Sequence, residues 1–362
     1  MNKSLGAIVL GTSFGVVTHV RALRQAGFEV KALVGRDAEK TKQRAADADI
    51  PLGTTDYAEA LALPGVDMVT IATPPHTHCA LVEQAAAAGK HIVCEKPFAK
   101  DIVEAERMLA AVQDAGVVHA IGTEWRYSTG QAVATKAVRD GLIGEPQLLT
   151  HMMMLPMLAM PGTEVPEWWA DAEHGGGWLG AFASHRIDQI QDMLGPICGV
   201  NASLRTLSPH GWSSDDSYTV QFQTESGVDG MMQSSAAAVG DMFACFRLVG
   251  SKGTLIMEGE KVIIADATGK RELEPTEEMI DAAPVPPPSN LMHTTYDMFH
   301  SMGIDLSPYT KLFNTVAKTI RGEAIDSDIK LATFEDGVAL QKVMDAIRIS
   351  DEERCWIDIV DD

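Results

Sequence analysis

Gly11-Thr12-Ser13-Phe14-Gly15 follows the short apolar run Ala7–Leu10 and precedes a helical pattern. That is where the diphosphate of a dinucleotide is held in a strand–turn–helix unit. In the full G-x-G-x-x-G loop the first glycine allows the tight turn, the second admits phosphate to the backbone, and the third lets helix and strand pack closely. Only Gly11 meets the spacing; Ser13 and Val16 stand at the other two positions, and Gly15 comes one place early. Ser13 is expected to donate its hydroxyl to a phosphate oxygen above the helix N-terminus, with Phe14 and Gly15 completing the cradle. The next strand ends in Val34-Gly35-Arg36-Asp37. An NAD site places an acid there for the ribose 2′-hydroxyl. Gly35 occupies that place, Arg36 follows it, and Lys40 lies one helical turn further on. From Lys31 to Arg44 there are five basic and two acidic residues. NADP(H) is therefore expected over NAD(H); the alternative has Asp37 on the ribose and Arg36 in solvent. His76 and His78 have the spacing of a metal pair, but no carboxylate or thiolate cluster completes one, and no metal is expected.

These residues need a scaffold, and the first 122 residues supply one. Apolar runs at Ala7–Leu10, Glu29–Val34, Asp67–Ala72, His91–Cys94 and Val117–Ile121 read as buried strands. Ala-rich stretches with helix-spaced charges separate them, and Gly27, Gly89 and Gly116 fall where helices should stop. Such alternation predicts an α/β domain, a parallel sheet covered on both faces, with ligands at the carboxyl ends of the strands. After about residue 145 the pattern changes to β-rich runs at Gln147–Met154, Ile197–Thr206, Ser217–Thr224, Asp229–Ser235, Phe243–Val249, Gly253–Met257 and Lys261–Ala265. They predict a largely antiparallel sheet, interrupted by a helix over Trp178–Leu194. Helices return at Ser307–Arg321 and Phe334–Ser350 after a proline-rich loop at Ala282–Asn290. The expected division is 1–122 and 123–362, with the last helices packing back on the first domain.

The composition agrees with two globular domains: 362 residues, 46% hydrophobic, with a formal charge of −21. Concentrated positive charge is what phosphate-backbone and acidic-membrane binding need, so neither nucleic acid nor a membrane surface is an expected partner. Five scattered cysteines without a C-x-x-C pair suggest reduced thiols and a cytoplasmic protein. The opening apolar run is too short for a membrane span and lacks a cleavage site.

Thr73-Pro74-Pro75-His76-Thr77-His78, followed by an Ala-rich helix and Gly89-Lys90-His91-Ile92-Val93-Cys94-Glu95-Lys96-Pro97, closely resembles the Gfo/Idh/MocA superfamily of inositol dehydrogenases and glucose–fructose oxidoreductases. Gly122-Thr123-Glu124-Trp125-Arg126-Tyr127, Gly175-Gly176-Gly177-Trp178, His185-Arg186-Ile187-Asp188 and Ala332-Thr333-Phe334-Glu335-Asp336-Gly337 extend the likeness over nearly the whole chain. The resemblance implies a Rossmann domain followed by an α+β domain with an open-faced sheet, often used to form dimers or tetramers. It also implies nicotinamide-dependent oxidation or reduction of a sugar or cyclic polyol.

What the resemblance implies for single residues follows. Lys96 would lie beside the nicotinamide and hydrogen-bond the reacting oxygen, where an ammonium stabilises alkoxide charge and relays a proton. The bond before Pro97 is often cis in the family. Thr73, Pro74, His78 and Glu95 would lie against the cofactor, and Glu95 would orient lysine or cofactor. Members that oxidise alcohols carry an Asp and, four residues later, a His that takes the hydroxyl proton; here His185 is present and the acid position is Ala181. His185 can act with Lys96 alone, Asp188 or Glu124 can replace the acid, or dehydrogenase chemistry has been lost. Arg126, Tyr127, Trp169 and Asp188 are candidate substrate residues, Trp169 equally a core residue.

The expected activity is NADP(H)-dependent hydride transfer to or from a neutral sugar, polyol or cyclic carbonyl compound. Two other readings remain: a non-catalytic dinucleotide sensor, and a glycoside-processing enzyme using transient oxidation. Residues 1–122 carry a net −2 and residues 123–362 a net −19. The acidic half disfavours anionic substrates unless Lys96, Arg126 or Arg186 offsets it.

Overall fold

A computed structural model describes residues 4–360. Six strands, β1 (Gly6–Leu10), β2 (Glu29–Val34), β3 (Leu52–Thr54), β4 (Met68–Ile71), β5 (His91–Glu95) and β6 (His119–Gly122), form a parallel sheet in the order β3-β2-β1-β4-β5-β6. β1 and β4 are buried along their whole length, as central strands covered on both faces must be. Asp37, Asp56 and Asp101 start the intervening helices, each accepting from a backbone amide three residues on. Gly116 ends one of them at φ 61°. Strand order reverses between β1 and β4, the crevice where open α/β sheets bind ligands. The three-residue β3 escaped sequence reading because it is too short to carry a period.

The second sheet comprises β7 (Pro146–Met154), β8 (Ile197–Arg205), β9 (Ser217–Thr224), β10 (Asp229–Ser235), β11 (Phe243–Gly250), β12 (Thr254–Glu258), β13 (Lys261–Asp266), β14 (Gly269–Glu272) and β15 (Ile357–Asp358). Its order is β14-β13-β12-β11-β7-β10-β9-β8-β15, antiparallel except for the β7–β10 pair. In β9 the burial alternates from Val220 to Thr224, with Val220 and Phe222 inward and Gln221 and Gln223 outward. The helices Thr129–Arg139, not anticipated from sequence, and Ser184–Leu194 pack on each other.

The chain divides into two units. One runs to Tyr127 and takes back Asp281–Val338; the other comprises Ser128–Ile280 and the chain from Ala339. A single boundary at residue 122 therefore describes only the outgoing crossing. The return brings the helix Leu306–Ile320 against the helix Val20–Gln25 of the same unit. On this division the first unit has 17 basic and 23 acidic residues, a net −6, and the second 12 and 27, a net −15. Among the described residues no helix is long and apolar enough to cross a membrane.

Candidate dinucleotide and proton-transfer site

β1 ends at Leu10 and the chain turns at Gly11, whose φ is 114°; a Cβ there would lie 2.2 Å from the Ala72 carbonyl oxygen. Only glycine meets such a turn. The first helical hydrogen bonds run from the Val16 and Val17 amides to the Ser13 carbonyl at 2.8 and 3.1 Å. The amides of Ser13, Phe14 and Gly15 thus lie at the start of the helix, in the positions that bind anions at a helix N-terminus. Turn and amides fit a diphosphate.

Ser13 itself departs from expectation. Its hydroxyl donates to Oδ1 of Asp297, a carboxylate with 0% exposure. The other oxygen of Asp297 accepts from Arg44 at 2.6 Å and from the amides of His293 and Thr294 at 2.9 Å. A hydroxyl has one proton, and here Ser13 directs it at Asp297, so the phosphate-donor role is corrected. Burial works against charge on Asp297, yet Ser13, Arg44 and the His293 amide hold its pKa below the usual carboxylate value. The segment around it is tied down further: Arg21 donates to the carbonyls of Val285 and Pro286 at 2.7 and 3.1 Å, and Asn290 to that of Asp47 at 3.0 Å. Phe14 packs its ring between His300 at 4.5 Å and His19 at 5.1 Å, anchoring the loop by its side chain.

At the end of β2 a Cβ on Gly35 would lie 2.2 Å from Thr41 Oγ1 and 2.6 Å from Thr12 Cγ2. Asp37 caps the following helix, accepting from the Lys40 amide at 2.8 Å. Arg36 and Lys40 are exposed. Two of the five basic residues of this stretch are engaged elsewhere: Lys31 pairs with Glu29 at 2.6 Å, and Arg44 is buried on Asp297.

Past β4, Thr73 shares a 2.7 Å hydrogen bond with Thr77, and Pro74 precedes the turn Pro75–Thr77. His78 is fully buried, its ring nitrogens 3.0 Å from the Phe98 carbonyl and 2.7 Å from that of Thr73. Burial lowers its pKa, with the two carbonyls opposing. The expected cofactor contact of His78 is therefore corrected to a tie between two loops.

β5 ends in Glu95 and half-buried Lys96, and the Lys96–Pro97 bond is cis. Glu95, 4% exposed, accepts from Tyr309, from His19 at 2.9 Å and from the Lys96 amide at 3.2 Å. Of the two roles expected for Glu95, these bonds bear on the lysine, whose amide it holds. Glu124, two residues past the β6 residue that pairs with Glu95, is 3% exposed. Burial and the nearby Glu95 charge push its pKa well up, with Lys96 pulling the other way. Burial thus disfavours its charged form while the lysine's field favours it.

Two candidate substrate residues are buried and hold contacts within the first unit. Arg126 is 4% exposed and pairs with Asp336 at 3.0 Å, and Tyr127 is buried while its carbonyl accepts from Lys311 at 3.0 Å.

In the second unit His185 is 3% exposed on the helix Ser184–Leu194, directly after a π-helical turn over Leu179–Ala183. Ala181 lies in that turn, four residues before His185. Asp188 is 2% exposed on the same helix. Gly177, at φ 100°, leaves room for Asp215, which caps the turn by accepting from the Leu179 amide at 2.8 Å. Burial raises the Asp215 pKa to about 6. Half-buried Trp169 meets Trp178 edge-on at 6.2 Å, and Trp178 stacks on Phe182 at 4.7 Å.

His19, Thr70, Tyr309, Asp297 and Arg44 were not legible as site residues. His19 alone carried a signal, a histidine among the apolar positions of the helix leaving the loop.

Residues 5–123 match the oxidoreductase family with an NAD-binding Rossmann fold, and residues 132–256 match the GFO/IDH/MocA C-terminal domain. Inositol 2-dehydrogenase of Rhizobium meliloti is 32% identical over 222 residues, 60% of this chain and 64% of that protein. Levoglucosan dehydrogenase of Pseudarthrobacter phenanthrenivorans is 34% identical over 187 residues, 48% of this chain and 45% of that one. A levoglucosan dehydrogenase structure solved with NADH and levoglucosan, 23% identical, covers 99% of this chain and 100% of its own with a TM-score of 0.82. The two matched domains follow one another in the family's order and cover most of the chain, which is therefore a member of the Gfo/Idh/MocA family and an NAD(P)-dependent oxidoreductase.

Proposed function

We propose that the chain is an NADP(H)-dependent oxidoreductase interconverting hydroxyl and carbonyl groups on a neutral sugar, polyol or related cyclic compound. When bound, the nicotinamide supplies the hydride acceptor or donor. The amides of Ser13–Gly15 hold the diphosphate, while Arg36 and Lys40 meet the 2′-phosphate. Lys96 hydrogen-bonds the reacting oxygen through Nζ and takes or returns its proton. His185 is the second proton carrier, and Asp188 and Trp169 serve substrate binding. The observation that carries the cofactor preference is that Gly35 stands at the acid's place, closely approached by Thr41 and Thr12, while Arg36 and Lys40 beside it are exposed. Inositol and levoglucosan, the substrates in the relatives' names, are neutral polyhydroxylated compounds. The acidity of the second unit favours the same class. Unbridged cysteines support a cytoplasmic setting, and the second sheet supports a homodimer or homotetramer.

Removing both side chains in Arg36→Ala/Lys40→Ala is expected to weaken NADPH binding by about 30–100-fold, since each hydrogen bond to a charged group contributes on the order of 1.5–3 kcal/mol and partial exposure reduces this. NADH affinity should stay within about threefold. Fluorescence titration reads both; equal weakening of the two cofactors contradicts the preference. Ala181, in place of the family's acid, favours one second reading, a dinucleotide-binding sensor without turnover.

A further inference from the structure

We infer that His19 and Tyr309 are positioning residues for Lys96, acting through Glu95. The inference rests on the proton-transfer role proposed for Lys96. His19 Nε2 lies 2.9 Å from Glu95 Oε1, where it donates to the carboxyl oxygen, and its Nδ1 shares a 2.7 Å hydrogen bond with the Thr70 hydroxyl. Tyr309 donates to the same Glu95 oxygen, Oε1. The other oxygen, Oε2, accepts from the Lys96 amide at 3.2 Å, which fixes the peptide plane from which the lysine side chain departs. His19, Thr70 and Tyr309 have 0% exposure. Glycine at 122 is what leaves room for the carboxyl, since a Cβ there would lie 2.3 Å from Glu95 Oε1. The rings of His19 and Tyr309 are 4.6 Å apart, and Tyr309 also meets Phe14 of the phosphate loop at 5.5 Å. Three segments distant in sequence, the loop helix, β4 and the returning helix Leu306–Ile320, thus converge on the carboxylate beside Lys96. A buried network of this kind holds one geometry when every member is satisfied.

The test pairs Tyr309→Phe and His19→Gln with Lys96→Ala. Tyr309→Phe keeps the ring packing and removes one donor. It should lower kcat about 10–50-fold while leaving substrate KM and NADPH Kd within about threefold, a split that lost folding would not produce. His19→Gln, which keeps a donor, should lose less than His19→Ala. In the Lys96→Ala background Tyr309→Phe should cost nothing more, because its effect runs through the lysine. A kcat within twofold of the parent for Tyr309→Phe, or losses that multiply in the Lys96→Ala background, overturns the inference. If Lys96→Ala is inactive and Tyr309→Phe fully active, only this inference fails. A fully active Lys96→Ala overturns the lysine's assignment itself.

Discussion

Lys96→Ala is expected to lower kcat by about 10²–10⁴-fold, the usual contribution of a positioned proton donor or acceptor, with NADPH affinity within about threefold. The split follows from where Lys96 stands. It leaves β5 at its carboxyl end, half-buried, while the diphosphate elements lie after β1 and the ribose elements after β2. Removing Nζ takes away the hydrogen bond to the reacting oxygen and the proton route, neither of which binds the cofactor's phosphates. Steady-state kinetics over a panel of neutral sugars and polyols, with fluorescence titration of NADPH, gives both numbers. Unchanged turnover with intact binding removes Lys96 from the chemistry.

The second large effect concerns stability. Asp297→Ala should destabilise the first unit by about 3–5 kcal/mol, the range for removing one partner of a buried ion pair. Arg44 and Asp297 have side-chain exposures of 1% and 0%, so the guanidinium left behind has no access to water. The same substitution takes the acceptor from Ser13 and from the His293 and Thr294 amides, undoing the capping box of Thr295–Phe299. Arg44→Met/Asp297→Leu should be more stable than Asp297→Ala, because no uncompensated charge remains. Urea unfolding of the three proteins decides it. Loss below 1 kcal/mol in Asp297→Ala means that the pair does not hold the segment.

Much of the architecture was legible in the chain. Buried parallel strands are continuous apolar runs, so β1, β2, β4, β5 and β6 could be placed to within about two residues, and the β-rich second half announced itself by alternation and turns. The family motifs located Lys96 and His185 on the elements that carry them. Contacts made by the returning segment were invisible. Nothing near Ser13 in sequence indicates that a carboxylate 284 positions away will take its proton, nor that Tyr309 will reach Glu95 across 214 positions. Burial changed other assignments. His78 and Arg126 look like ligand-facing groups by type, but His78 meets two backbone carbonyls and Arg126 pairs with Asp336. The +3 charge between Lys31 and Arg44 likewise shrank once Lys31 and Arg44 acquired partners of their own. Arg36, Lys40 and Lys42 remain exposed, the first two nearest the glycine that stands at the acid's place.

The central claim is hydride transfer between a nicotinamide and a neutral polyhydroxylated compound, with Lys96 handling the proton. Incubating the protein with NADPH deuterated stereospecifically at C4 and a panel of keto forms of neutral sugars and polyols tests it most directly. Mass and NMR analysis should find deuterium at one carbon of the reduced product, delivered from one of the two C4 positions only, with the yield collapsing in Lys96→Ala. NADPH that binds tightly yet is recovered with its deuterium intact across the panel contradicts the claim and leaves the dinucleotide-binding sensor.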